Sequence, residues 1–121
     1  MILQIIDKSF SIYKVNEIPV DLLHHQFTFL STTDNEVSVI SESNLVPKDS
    51  LIVEDGWKCF RIAEDASFEK YGMIAFLANI IAAQKTSTLV VGTYDTDYLF
   101  IKEERFEQVI KTLEDNGCVF I

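Results

Sequence analysis

The sequence predicts an α+β fold, with two helices on one face of an antiparallel sheet. Three observations carry that expectation. Several short runs alternate apolar and polar residues, the period of half-buried strands. Two longer segments change to the i, i+3, i+4, i+7 spacing of an amphipathic helix. Turn residues separate neighbouring strand runs at hairpin distances. A length of 121 residues suits one compact domain or two very small ones sharing a core.

The first ten residues, MILQIIDKSF, read as a strand, with no basic leader region and an acid already at Asp7. Phe10 to Val15 alternates as a strand. Pro19 follows, and Val20 to His25 has room for little more than a turn or two of helix. Phe27 to Thr32 and Glu36 to Ser41 form a hairpin across Thr33-Asp34-Asn35. Asn44 to Asp49 is a loop containing Pro47. Ser50 to Glu54 is a short strand ending in an Asp55-Gly56 turn.

Trp57 to Ile62 opens the second half as a strand, and Ala63 to Ser67 is a polar connection. From Tyr71 to Gln84, Ile74, Leu77, Ala78 and Ile81 share one helix face, and Met73, Phe76 and Ile80 widen it. A helix this apolar expects burial on more than one side. Thr88 to Thr93 and Tyr98 to Lys102 flank the turn Tyr94-Asp95-Thr96-Asp97. Glu103 and Glu104 suit the positive end of a second helix, whose apolar face is Phe106, Val109, Ile110 and Leu113. Gly117 is its stop, and Cys118 to Ile121 is a last strand. Strand, helix, strand, strand, helix, strand is the βαββαβ, ferredoxin-like order, two layers with helices on one face.

The two halves repeat. Ser31 to Ser43 aligns without a gap on Gly92 to Glu104, pairing Thr32 with Thr93, Asp34 with Asp95 and Ile40 with Ile101. The chain therefore divides into an abbreviated module, 1–56, with its first helix shortened and its second nearly lost, and a complete module, 57–121. Each is small for a free domain, so the two are expected to fold together.

Composition narrows the function. The formal net charge is −9, which excludes nucleic acid and anionic membrane surfaces as partners, since both need a basic face. No apolar run is long enough to span a membrane, and with no targeting segment the expected compartment is the cytoplasm. Cys59 and Cys118 make no disulfide framework and read as reduced, buried thiols. His24 and His25 are adjacent, and neighbours in sequence rarely converge on one metal ion. No acid–base constellation and no phosphate-binding glycine loop is signalled, so neither an enzyme nor a cofactor is expected.

Gly72-Met73-Ile74-Ala75, followed by Leu77-Ala78 and Ile81, resembles the Gly-φ-φ-Ala helix start of ACT domains, where φ is apolar. Thr93 to Glu104 (TYDTDYLFIKEE) is similar to the corresponding run in small bacterial tandem-ACT proteins, and to the ACT pairs of the arginine-sensing CASTOR proteins. The resemblance implies ferredoxin-like ACT modules in tandem, a homodimer, and a regulatory protein binding a small ligand, an amino acid, at a module interface. It places that ligand at Tyr71, Gly72 and Met73, with Thr93, Tyr94 and Asp97 contributed by the hairpin. Two departures stand out. Lys85-Thr86 replaces the usual Gly-Ile after the helix, which suggests a looser connection. Lys70 stands where the arginine-sensing relatives carry an acid, so arginine is not carried over.

The residues allow a bland role beside each functional one. Gly72 at a helix start lets a carboxylate approach unpaired N–H groups, or it serves only tight packing or a positive φ. Asp97 can accept an ammonium group, or it forms the turn. Asp95 reads as turn chemistry, and Tyr94 as interface cover. Readout requires a regulated protein partner or a change of assembly. The competing function is a protein-interaction or dimerisation module with no ligand, which gains if Tyr71 and Tyr94 fill the cleft.

Overall fold

The computed structural model describes residues 1–64 and 71–121. Among the described residues, seven strands and two α-helices follow in order: β1 Ile2–Val15, β2 Phe29–Thr32, β3 Val37–Glu42, β4 Ile52–Ile62, α1 Met73–Ala83, β5 Thr88–Gly92, β6 Asp97–Lys102, α2 Glu103–Asp115 and β7 Val119–Phe120. They group into two compact units, Met1–Asp7 with Lys58–Ile121, and Lys8–Trp57. The long strands β1 and β4 each give one stretch to either unit.

In the unit holding both helices, the strands lie in the order β7-β1-β4-β6-β5. A self-contained βαββαβ module would close its last strand on its first, β7 on β4. Here residues 2–7 of β1 occupy that place. Ile2 and Leu3 pair in parallel with Val119 and Phe120, and on the other side the Ala63 N–H donates to the Ile2 carbonyl at 2.9 Å. The sheet is otherwise antiparallel, with β5 and β6 paired from Thr88–Ile101 to Gly92–Asp97. Leu3, Phe60, Ile62, Leu99 and Ile101 on the strands meet Leu77 and Ile81 of α1 and Val109 and Leu113 of α2. That is the two-layer arrangement expected from the helical spacing.

Both helices end in left-handed backbone. After α2, Gly117 has φ 94°. Its N–H donates to the Glu114 carbonyl and the Cys118 N–H to the Leu113 carbonyl, each at 3.0 Å, the paired bonds of a Schellman stop. Cys118 and Leu113 both lie in the core, which completes the motif. After α1 the same conformation falls on Lys85, φ 57°, whose N–H donates to the Ala82 carbonyl at 2.9 Å. In place of the usual glycine, lysine carries the left-handed turn itself.

Among the described residues α1 buries Leu77 and Ile81, and Phe76 is 40% exposed, which leaves apolar surface on a second side of the helix. One sequence expectation, about β4, is corrected. Asp55-Gly56 does not turn the chain back. It lies inside β4, where Gly56 at φ 83° bends a continuous strand.

In the other unit β2, β3, β1 and β4 lie side by side, with β1 and β3 paired antiparallel from Phe10–Glu42 to Val15–Val37. β2 starts only at Phe29, because Phe27 takes a positive φ of 55°. Single short 3₁₀ turns, Val20–His24 and Ser43–Leu45, stand where the helical unit has α1 and α2. Tyr13, Val15, Leu22 and Val39 form one of its core clusters. Polar contacts adjoin: the Ser11 hydroxyl donates to Asp55 and meets Ser43 Oγ at 2.7 Å, and Tyr13 Oη meets Ser41 Oγ at 2.8 Å.

The two hairpins repeat in detail. Thr33 N–H donates to the Glu36 carbonyl at 2.9 Å and Thr93 N–H to the Thr96 carbonyl at 2.8 Å. In each, the threonine hydroxyl also accepts from the N–H three residues on. Thr33 thus matches Thr93 and β3 matches β6, one position away from the sequence alignment, which had paired Thr32 with Thr93. Asp34 then corresponds to Tyr94, and Asp97 to Val37.

Candidate functional site

The first group of candidate residues stands at the start of α1. Gly72 caps the helix in the left-handed region, φ 84°, with no side chain satisfying the helix end. The first bond closing on it runs from the Phe76 N–H to the Gly72 carbonyl at 3.0 Å, so the amides of residues 73–75 have no acceptor within the helix. Among the described residues, a β-carbon placed on Gly72 would meet nothing within 4 Å. The positive φ by itself accounts for a glycine here. Tyr71 is 95% exposed, while Met73 packs against the core.

The second group stands on the β5–β6 hairpin. The Thr93 hydroxyl is used twice inside the turn, donating to the Thr96 carbonyl at 3.0 Å and accepting from the Thr96 N–H at 3.3 Å. Asp97 opens β6 opposite Gly92, where an added β-carbon would come within 3.2 Å of the Asp97 carboxylate. Gly92 therefore makes room for that carboxylate. Tyr94, at the tip, is 84% exposed, so neither Tyr71 nor Tyr94 fills a cleft within the chain.

Sequence reasoning passed over Thr96, which positions the hairpin. Its hydroxyl donates to the Ile62 carbonyl at 2.7 Å, tying the turn to the end of the strand that leads toward Gly72. The signal was available as a hydroxyl residue between two acids, but it reads first as turn chemistry. Lys70 lies outside the described residues.

Arg61 was also missed. Its Nε and Nη2 donate to Gln4 Oε1 at 3.2 and 2.9 Å, and its Nη1 donates to Tyr98 Oη at 2.9 Å. The guanidinium thereby bridges Gln4 and Tyr98, with its carbon 5.8 Å from the Tyr98 ring centre. Against α2 lies a cleft of about 560 Å³ with Ile5, Phe106 and Ile110 as floor and Asp7, Glu107 and Lys111 on its rim; none of the six candidate residues lines it.

Burial pushes the Cys59 thiol up to about 12, with Arg61 opposing that shift, and raises the Cys118 thiol as well. Neither forms a thiolate nucleophile near neutral pH. Ser11 and Asp55 adjoin, but Ser11 is fully buried. Among the described residues no three His, Cys, Asp or Glu side chains converge as metal ligands, and no helix is long and apolar enough to cross a membrane.

Residues 52–115 match the family model of the ACT domain. No curated protein matches significantly. Among solved structures, a protein from Agrobacterium tumefaciens superimposes with a TM-score of 0.89 at 24% identity, covering 99% of this chain and 91% of that one. A protein of unknown function from Vibrio cholerae, described as a possible transport protein, has a TM-score of 0.71 at 17% identity, covering 92% and 85%. The Escherichia coli aspartokinase III, in complex with aspartate and ADP, has a TM-score of 0.63 at 11% identity, over 95% of this chain and 32% of the enzyme. At these identities the likeness is one of fold.

Proposed function

Because this chain belongs to the ACT-domain family, we propose that it is a non-enzymatic regulatory protein that binds an amino acid at the start of α1. The ligand's α-carboxylate lies on the open backbone at Gly72, between Tyr71 and Met73. Its ammonium group faces Asp97, with Thr93 and Tyr94 shaping the hairpin beside it. The observation that carries this reading is Gly72 itself: a left-handed helix start with, among the described residues, no side-chain cap and nothing within 4 Å of where a β-carbon would stand. Helix N-termini of this kind attract carboxylates through their unpaired amides and the helix dipole.

Regulation follows from order. Thr96 ties the hairpin to the end of β4, so a ligand held by both Gly72 and Asp97 favours one arrangement of turn and helix and shifts a population. The two modules, 1–56 and 57–121, act as a tandem pair, and a homodimer forms on the uncovered side of α1. Signal leaves through that assembly or through a regulated protein partner.

A second reading, a ligand-free interaction module, draws on the exposure of Phe76 on an otherwise apolar α1. A thermal-shift panel of the common amino acids at millimolar concentration separates the two. Ligand at about 100 times its dissociation constant adds about 2.7 kcal/mol, several degrees for a chain of this size. One amino acid is expected to raise the melting temperature, and Asp97→Asn is expected to abolish that rise without moving the ligand-free value. A flat panel, or a rise that survives Asp97→Asn, overturns this placement.

A further inference from the structure

We propose that Arg61 is an anion site, on which the carboxylate of a small monocarboxylic acid with an apolar body docks. Arg61 lies on β4 between Phe60 and Ile62, both of which enter the core under the helices. Strand alternation therefore turns it to the opposite face of the sheet. Gln4, next to the core residue Leu3, and Tyr98, next to the core residue Leu99, share that face. The guanidinium carries five N–H donors. Nε and Nη2 give one each to Gln4 Oε1, and Nη1 gives one to Tyr98 Oη. Among the described residues, one N–H on each terminal nitrogen is left over. All three side chains belong to half-buried residues, so the group is fixed yet reachable.

The chemistry selects a monocarboxylate. In a chain of net charge −9, Arg61 takes part in no ion pair among the described residues. Its fixing partners are an amide oxygen and a phenol, which orient the guanidinium and leave its charge uncompensated. A planar group held in this way suits a two-point contact with a carboxylate. One guanidinium balances one negative charge; a phosphate dianion would bring a second into an already acidic molecule. The apolar body has a surface to lie on. Ile2 shares the face with Gln4, and Val119 pairs with Ile2; they are 42% and 56% exposed. The site uses none of Gly72, Asp97 or the α1 face, so it stands apart from the amino-acid reading.

Benzoate is the probe, since it has an apolar ring and no ammonium group. In two-dimensional NMR of the full chain, the Arg61 Nε–H signal is expected to move saturably with millimolar benzoate. Acetate is expected to bind more weakly, and inorganic phosphate and chloride at the same ionic strength to give no saturable shift. Arg61→Lys keeps the charge but loses the two-point contact. It is expected to weaken benzoate about tenfold, read on the Gln4 side-chain amide. Val119→Thr is expected to weaken benzoate about threefold and to leave acetate unchanged. It alters an exposed residue, so it carries the test should Arg61→Lys fail to fold. An unmoved Arg61 signal, an equal response to chloride or phosphate, or full benzoate affinity in either variant overturns the proposal. So does a shift confined to the amides of residues 73–75, which puts the acid at the helix start instead, or an Arg61 signal that moves only with an acidic peptide.

Discussion

Thr96 and Ile62 stand thirty-four residues apart, yet the Thr96 hydroxyl donates to the Ile62 carbonyl at 2.7 Å. A hairpin turn thereby becomes part of the strand end that leads into α1. Thr96→Val removes the donor while keeping the shape. It is expected to cost about 1 kcal/mol, the usual net worth of such a bond, read as a lower urea midpoint. Thr96→Ser restores most of it; equal midpoints for valine and serine would mean that the bond does not hold the turn.

The two helix stops predict opposite signs. Gly117→Ala forces a β-carbon into left-handed backbone and is expected to destabilise by about 1–2 kcal/mol. Lys85→Gly relieves the same strain after α1, partly offset by a more flexible unfolded chain, and is expected to stabilise by about 0.5 kcal/mol. Thermal melts of the two variants check both directions at once.

Neighbouring positions on α1 differ sharply. Leu77 is fully buried between sheet and helices, so Leu77→Ala is expected to cost about 2–5 kcal/mol. Phe76→Ala, on the uncovered side, is expected to cost less than about 1.5 kcal/mol at low protein concentration. A large loss at Phe76 in dilute monomer would show that the helix is covered there by its own chain.

Alkaline pH should weaken the fold before neutral chemistry fails. The Cys59 thiol moves from an ordinary value near 9 up to about 12 through burial. Between those values the unfolded chain has lost a proton that the folded chain keeps. The unfolded state then binds fewer protons, and stability falls as pH rises, by at most about 1.4 kcal/mol per pH unit from this group. Tyr13 and Cys118, raised by burial, act in the same direction. Urea midpoints from pH 8 to 11 in Cys59→Ala are expected to fall less steeply than in the native sequence.

Local pattern made most elements legible. Ile74, Leu77 and Ile81 announced α1, Val109 and Leu113 announced α2, and the turns at Thr33 and Thr93 announced both hairpins. What escaped was decided by distant partners or by backbone conformation. Asp55-Gly56 reads as a turn because glycine supports positive φ, yet positive φ also serves a bend within a strand. Nothing in the first seven residues names Val119 and Phe120 as their neighbours. The repeat was visible but one position off, because Asp34 and Asp95 look alike while the hydrogen bonds match Thr33 to Thr93. In the candidate site, Gly72 and Asp97 were chosen by motif, whereas the reason for Thr96 lay in a carbonyl far along the chain.

The insertion of β1 between β4 and β7 also bears on how the chain reaches this state. Ile2 and Leu3 cannot complete their pairing until residues 119 and 120 arrive, the most distant closure the sequence offers. Contacts of such separation slow folding, because loop entropy is lost before they form. The β5–β6 hairpin and α2 can assemble locally and early, whereas residues 2–7 wait beside them with an open strand edge. Refolding should therefore show a late phase that reports on the N-terminal strand, and dilution or a chaperone that shields that edge should matter most during this wait.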